Sequence, residues 1–164
     1  MEKLTNTQVT YTFEDHNSEK MLRIFLGPSE NGNKIGDVII GEHKQFGYSW
    51  FAPYMWESTY KELIPDEKWM EIVSLYVNRD YRNCGVGNML MSKTINIFRT
   101  LYPEYKYAVL WMSPFFKTDT SLKIDLLAQF YNKFKFQTIP EDKLHFQDDE
   151  TRDDYKNNIM MRKI

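Results

Sequence analysis

The chain has 164 residues, 42% apolar and 16% aromatic, with a formal net charge of -2. That is enough apolar material for one domain with a core, and too much for a disordered chain. The balanced charge gives no support to a general nucleic-acid or membrane-surface binder.

A single cysteine, Cys84, rules out an internal disulfide and fits a reducing compartment. The opening MEKLTNTQVT carries no apolar leader core, and no run approaches membrane-spanning length. A soluble, cytoplasmic domain is the expectation.

Residues 8–14, QVTYTFE, alternate weakly and are expected as a strand. MLRIFLG (21–27) and KIGDVIIGEH (34–43) flank PSENGN, whose Asn-Gly pair suits a tight antiparallel hairpin. Residues 44–69 are crowded with aromatics, with a short helix expected near 56–63 and ended by Pro65. MEIVSLYV (70–77) is the next strand. A helix follows from about Val86 to Tyr102, with Val86, Leu90, Ile97, Phe98 and Leu101 on one stripe and Lys93, Asn96 and Arg99 off it. Pro103 stops it. YAVLWMS (107–113) reads as a buried strand, 121–136 as an amphipathic helix, and NNIMMRKI as a last strand. There is no repeat, low-complexity segment or linker, so one domain spanning 1–164 is expected. The order predicts an α+β fold: a central mixed, mostly antiparallel twisted sheet flanked by helices.

The segment RNCGVG, 82–87, joins strand to helix. A helix N-terminus presents unpaired N–H groups and the positive end of its dipole. Glycines in the first turn let an anion's oxygens reach those groups. Arg82 could add a charge or orient the loop. A Walker loop requires Gly-Lys-Ser/Thr, but Gly87 is followed by Asn88 and Met89. A dinucleotide fingerprint requires a third glycine where Leu90 stands. What remains is Arg/Gln-x-x-Gly-x-Gly/Ala, which holds a pyrophosphate on backbone amides.

In this frame SLYVNRDYRNCGVGNMLM resembles the pyrophosphate-binding segment of the GNAT superfamily of acyl-CoA N-acyltransferases. The family's Arg/Gln falls on Arg82 and its two glycines on Gly85 and Gly87. YAVLWMS and the helix carrying LAQFYNKFKF resemble the next two elements, so the likeness covers about residues 70–136. It implies the acyl-CoA N-acyltransferase fold and acetyl-CoA as co-substrate, without a metal. It further implies that backbone groups of Leu75, Tyr76 and Val77 pair with the pantetheine arm, and that the amides of Asn83, Cys84, Gly85, Val86, Gly87 and Asn88 hold the pyrophosphate. Tyr131 matches the tyrosine that protonates the departing thiolate. Glu71 matches the strand carboxylate that some members use as general base, directly or through water.

The chemistry wants the same residue types. An amine attacks a thioester only when neutral, and a carboxylate such as Glu71 can take its proton. A free strand N–H near Tyr76 or Val77 can meet the oxyanion. Simpler roles stand beside these. Glu71 also fits a polar residue entering a strand, Tyr131 a core aromatic, and Cys84 a small loop residue. His16, His43 and His145 are scattered and suggest no metal site. The aromatic stretch 46–60 fits an acceptor wall, a homodimer face or core alike. The acidic run 141–154 would attract a cationic acceptor or simply face solvent.

Three departures from the family stand out. Residues 15–20 cannot hold the two helices usual between the first strands. Lys135 stands where the family's helix ends in glycine. PFFKTDTSLKID lengthens the link after YAVLWMS. The expected activity is acetyl transfer to a primary amine: a small amine, a lysine or a protein N-terminus. The alternatives are a CoA- or partner-binding module without turnover, and a toxin-like modifier of a macromolecule. Nucleic acid is not an expected partner.

Overall fold

The computed structural model describes residues 3–16, 19–43, 68–112, 124–143, 149 and 158–164. The helix expected near 56–63 lies outside them. Among the described residues seven strands follow the order β1-β2-β3-β4-β5-β7-β6 in one mixed sheet, accompanied by two α-helices. They are β1 (Val9–His16), β2 (Glu19–Leu26), β3 (Asn33–His43), β4 (Lys68–Val77), β5 (Tyr105–Trp111), β6 (Gln137–Thr138) and β7 (Ile159–Lys163), with α1 (Val86–Leu101) and α2 (Ile124–Asn132). The chain forms two compact units, one of residues 1–42 and 72–103, the other of 43–71 and 104–164. β4 contributes its first four residues to the second unit and the rest to the first.

In the first unit β1 and β2 are antiparallel, in register from Val9↔Leu26 to His16↔Glu19. β1 runs on to His16 and β2 begins at Glu19, beyond the expected 14 and 21, and Lys20 in the added stretch is not a solvent-facing residue. It is 2% exposed, donates to Asp15 Oδ1 at 3.0 Å and lies 4.8 Å from the Tyr102 ring centroid. A buried ammonium persists only when paired in this way. Only residues 17 and 18 separate β1 from β2, which leaves no room for the two helices usual at this point in the superfamily the sequence resembles.

β2 and β3 form the expected hairpin, closing at Leu26↔Asn33. Its turn differs from the expectation: Gly27 takes the positive φ of 80°, while Asn31 and Gly32 do not. Asn31 N–H instead donates to the Pro28 carbonyl at 3.1 Å, an ordinary i→i+3 turn.

Lys20, Leu22 and Ile24 on β2 pair with Ile40, Val38 and Gly36 on β3, and all six are buried. Such a period-2 face needs a cover. α1 buries Val86, Leu90, Met91, Thr94, Ile95, Ile97 and Phe98, each large apolar side chain contributing about 1.5–3 kcal/mol. Gly36 sets the spacing: a Cβ there would stand 2.8 Å from the Tyr76 carbonyl, 3.0 Å from Leu90 Cδ1 and 3.2 Å from Val86 Cγ1. Leu101, expected on the buried stripe, is 57% exposed. It is the last helical residue, and Tyr102 beyond it carries the contact instead, its ring 6.5 Å from that of Phe13.

In the second unit β5 and β7 pair antiparallel from Tyr107↔Lys163 to Trp111↔Ile159, and β6 adds two pairs to β7. Its core includes Met70, Ala108, Leu110, Met112, Phe136 and Met160. α2 ends at Asn132, four residues short of the expected helix end at 136. A left-handed turn at Lys135, φ 65°, stops it.

Candidate active site

The strand-to-helix junction of the first unit is built by short-range hydrogen bonds. Asn78 N–H donates to the Ile35 carbonyl at 2.9 Å, and Asn78 Oδ1 accepts from Asp80 N–H at 3.1 Å, starting a one-turn 3₁₀ helix over Arg79–Tyr81. The chain then doubles back. Arg82 is half-buried, and its Nε donates to the Val77 carbonyl at 3.2 Å. Of the two roles open to Arg82, orienting the loop therefore has a visible contact behind it.

Asn83 has φ 61° and Gly85 φ 87°, with Cys84 between them at negative φ and helical Val86 after them. Alternating signs at successive residues turn consecutive N–H groups toward one concave side, a shape that cups anions. Asparagine tolerates the left-handed region better than most residues. Gly85 is the N-cap of α1 and offers no side-chain cap. The cap residue thus supplies no side-chain oxygen to the first turn's amides, and no acidic residue stands in that turn to offset their electropositive end. A diphosphate fits this donor set.

Cys84 is the plug of the loop. It is 2% exposed, its Sγ lies 3.5 Å from the Arg82 carbonyl, and its own carbonyl accepts from Leu4 N–H at 3.2 Å. That contact lays the N-terminal segment along the loop. Lys3 Cε comes within 3.3 Å of where a Cβ on Gly85 would be. Leu75, Tyr76 and Val77 are half-buried on β4, and Lys34 Nζ sits 5.8 Å from the Tyr76 ring centroid.

The other two candidates belong to the second unit. Glu71 on β4 is 2% exposed. Tyr131 on α2 is 8% exposed in an aromatic cluster, its ring centroid 5.1 Å from Phe130 and 6.1 Å from Phe136, both edge-on. Burial pushes its phenol up to about 12, so it stays protonated through the neutral range. The junction residues 75–77 and 82–88 gather at one end of β4 in the first unit; Glu71 and Tyr131 lie outside it.

The helix end beside Tyr131 is a complete Schellman turn. Phe136 N–H donates to the Tyr131 carbonyl at 3.3 Å and Lys135 N–H to the Asn132 carbonyl at 2.9 Å. The Tyr131–Phe136 ring contact is the apolar pair that accompanies this motif. Lys135 occupies the left-handed position where glycine is usual. Arg162, 7% exposed, donates through Nη1 to the Phe134 carbonyl at 2.5 Å, and its guanidinium lies 6.0 Å from the Phe136 ring centroid. Sequence reading missed Arg162. The signal was the two-residue period of IMMRK, which puts Arg162 on the same face as buried Met160.

Among the described residues no group of three or more His, Cys, Asp or Glu is placed to hold a metal ion. No helix among them is long and apolar enough to cross a membrane.

The profile of the Acetyltransferase (GNAT) family matches residues 3–114, more than half of the chain. The protein belongs to that family. None of the curated proteins matches it. Solved structures share its fold at low identity. Arabidopsis thaliana NAA60 in complex with a bisubstrate analogue has a TM-score of 0.57 at 12% identity, over 92% of this chain and 78% of that one. AtaT complexed with acetyl-methionyl-tRNAfMet has 0.53 at 11%, over 89% and 71%. A KacTA–DNA complex has 0.55 at 9%, over 91% and 70%.

Proposed function

We propose that the protein is an acetyl-CoA-dependent N-acetyltransferase that moves an acetyl group directly to a primary amine. The observation that carries this reading is the uncapped start of α1 behind the sign-alternating residues Asn83–Val86. In this reading the amides of residues 83–88 hold the pyrophosphate, with Arg82 fixing the loop on Val77. Backbone groups of Leu75–Val77 hold the pantetheine arm.

The amine nitrogen attacks the thioester carbon, the carbon–sulfur bond breaks, and one proton leaves the nitrogen. Glu71 takes that proton, directly or through water. Tyr131 donates a hydrogen bond to the departing sulfur. A thiol titrates at about 8.5, so full transfer from a phenol at about 12 runs uphill. Tyr131 then stabilises the thiolate mainly by hydrogen bonding, and the sulfur takes its proton from solvent. The acceptor is a small amine, a lysine or a protein N-terminus, and the site of action is the cytoplasm.

A macromolecular acceptor is the second reading. AtaT, a fold neighbour, is described in complex with acetyl-methionyl-tRNAfMet. The charge of -2 offers little general attraction for tRNA. Two measurements decide. Calorimetric titration with CoA should give a saturable heat that is lost when Gly85 and Gly87 are both changed to Ala. Thiol release from acetyl-CoA should depend on one member of a panel of amines, peptides and aminoacyl-tRNA. Absence of heat for the parent rejects the cradle; binding without release for any acceptor leaves a CoA-binding module.

A further inference from the structure

We infer that Arg162 is a positioning residue for Tyr131, clamping the left-handed turn that follows it. The inference rests on Tyr131 being the group beside the departing sulfur.

The last turn of α2 leaves backbone carbonyls without helical partners. Nothing in the local sequence favours stopping at Lys135, because a lysine in the left-handed region is held against a cost of about 1–2 kcal/mol. Glycine would hold the same φ unaided. In this chain the turn is held from outside. Arg162 reaches from β7, places Nη1 on the Phe134 carbonyl and lays its guanidinium over Phe136. Its Nε donates to the Lys163 carbonyl at 3.1 Å, which fixes the fork against its own strand. Phe134 and Phe136 flank Lys135, so both sides of the strained residue are gripped by one side chain.

The grip passes directly to Tyr131. Phe134 N–H donates to the Tyr131 carbonyl at 2.9 Å, Phe136 N–H does so at 3.3 Å, and the Phe136 ring meets the Tyr131 ring edge-on. A charge at a helix C-terminus also offsets the negative end of the dipole. Arginine suits the place because its planar fork bonds a carbonyl and stacks on a ring at once. Lysine offers a point charge alone.

The deciding comparison is the cost of Arg162→Lys in the parent and in a Lys135→Gly background. Lys135→Gly by itself should keep parent activity. Arg162→Lys should lower kcat about tenfold, the scale of a small misplacement of a reacting group, with the CoA dissociation constant within about twofold. In the Lys135→Gly background that loss should largely disappear, since the turn no longer needs the clamp. A second readout is the alkaline titration of Tyr131, taken as the difference spectrum between each variant and its Tyr131→Phe counterpart. Arg162→Lys should bring that titration down toward the ordinary phenol range as water reaches the loosened ring.

Equal loss in both backgrounds, or an unmoved titration with parent kcat, overturns the inference. A normal kcat in Tyr131→Phe would instead reject the role of Tyr131 in the reaction. In that case a shifted titration in Arg162→Lys would still support the clamp.

Discussion

The Nε of Arg82 donates to the Val77 carbonyl at 3.2 Å, tying the start of the amide loop to the last residue of β4. The bond spans the 3₁₀ turn Arg79–Tyr81 and fixes where α1 begins. Arg82→Ala should therefore act first on the loop. A hydrogen bond to a charged group is worth about 1.5–3 kcal/mol, and a half-buried one belongs at the low end. Urea unfolding should show a loss of about 1–2 kcal/mol. CoA affinity should fall severalfold, with nearly unchanged dependence on salt. A marked drop in the salt slope would show that the guanidinium neutralises a phosphate directly.

Gly85→Ala should cost more than the removal of a cap. The residue has φ 87°, where a Cβ costs about 1–2 kcal/mol. The new methyl would also meet Lys3 Cε at 3.3 Å. Lys3→Ala removes the second cost but not the first. The double variant should recover a few tenths of a kcal/mol and remain less stable than the parent. Full recovery would place the whole effect in the Lys3 contact.

Tyr131 makes stability depend on alkaline pH. Its phenol titrates at about 12 in the folded chain against 10.0 for an unburied phenol. Folding thus favours the protonated form. The contribution is complete below pH 10 and is lost as pH rises from 10 to 12. By about pH 11 the parent should have lost roughly 1.4 kcal/mol more than Tyr131→Phe. Urea curves for the two proteins at about pH 9, 10 and 11 test this. Curves that fall in parallel would show that the ring is hydrated in solution.

The buried ion pair of the first unit predicts an asymmetry. Lys20's side chain is 3% exposed while Asp15's is 56% exposed. Asp15→Ala takes away the carboxylate that the buried Lys20 ammonium meets at 3.0 Å, and should cost about 3 kcal/mol. Lys20→Met leaves a carboxylate that water can solvate and fills the space with a similar chain. It should change stability by less than about 1 kcal/mol. Thermal unfolding of the two variants in one buffer compares them, and equal costs would mean the pair is solvated.

Periodicity and punctuation were enough to place β2 and β3 as a hairpin, α1 from Val86, and strands at β4, β5 and β7. Each follows from neighbours along the chain: alternation, a 3.6-residue stripe, or a proline stop. The motif Arg82…Gly85-Val86-Gly87 was legible for the same reason, since a loop that exposes its own amides is encoded in consecutive residues. Tertiary structure decided what lies between distant residues. Lys20 looks like a surface charge until Asp15 and Tyr102 enclose it. Leu101 fits the apolar stripe by angle, yet Tyr102 takes the contact. Lys135 carries no local sign of a left-handed turn, because Arg162, 27 residues further on, supplies the hold. Local sequence determines conformations that cost little by themselves; a strained turn or a buried charge depends on the partner that folding brings to it.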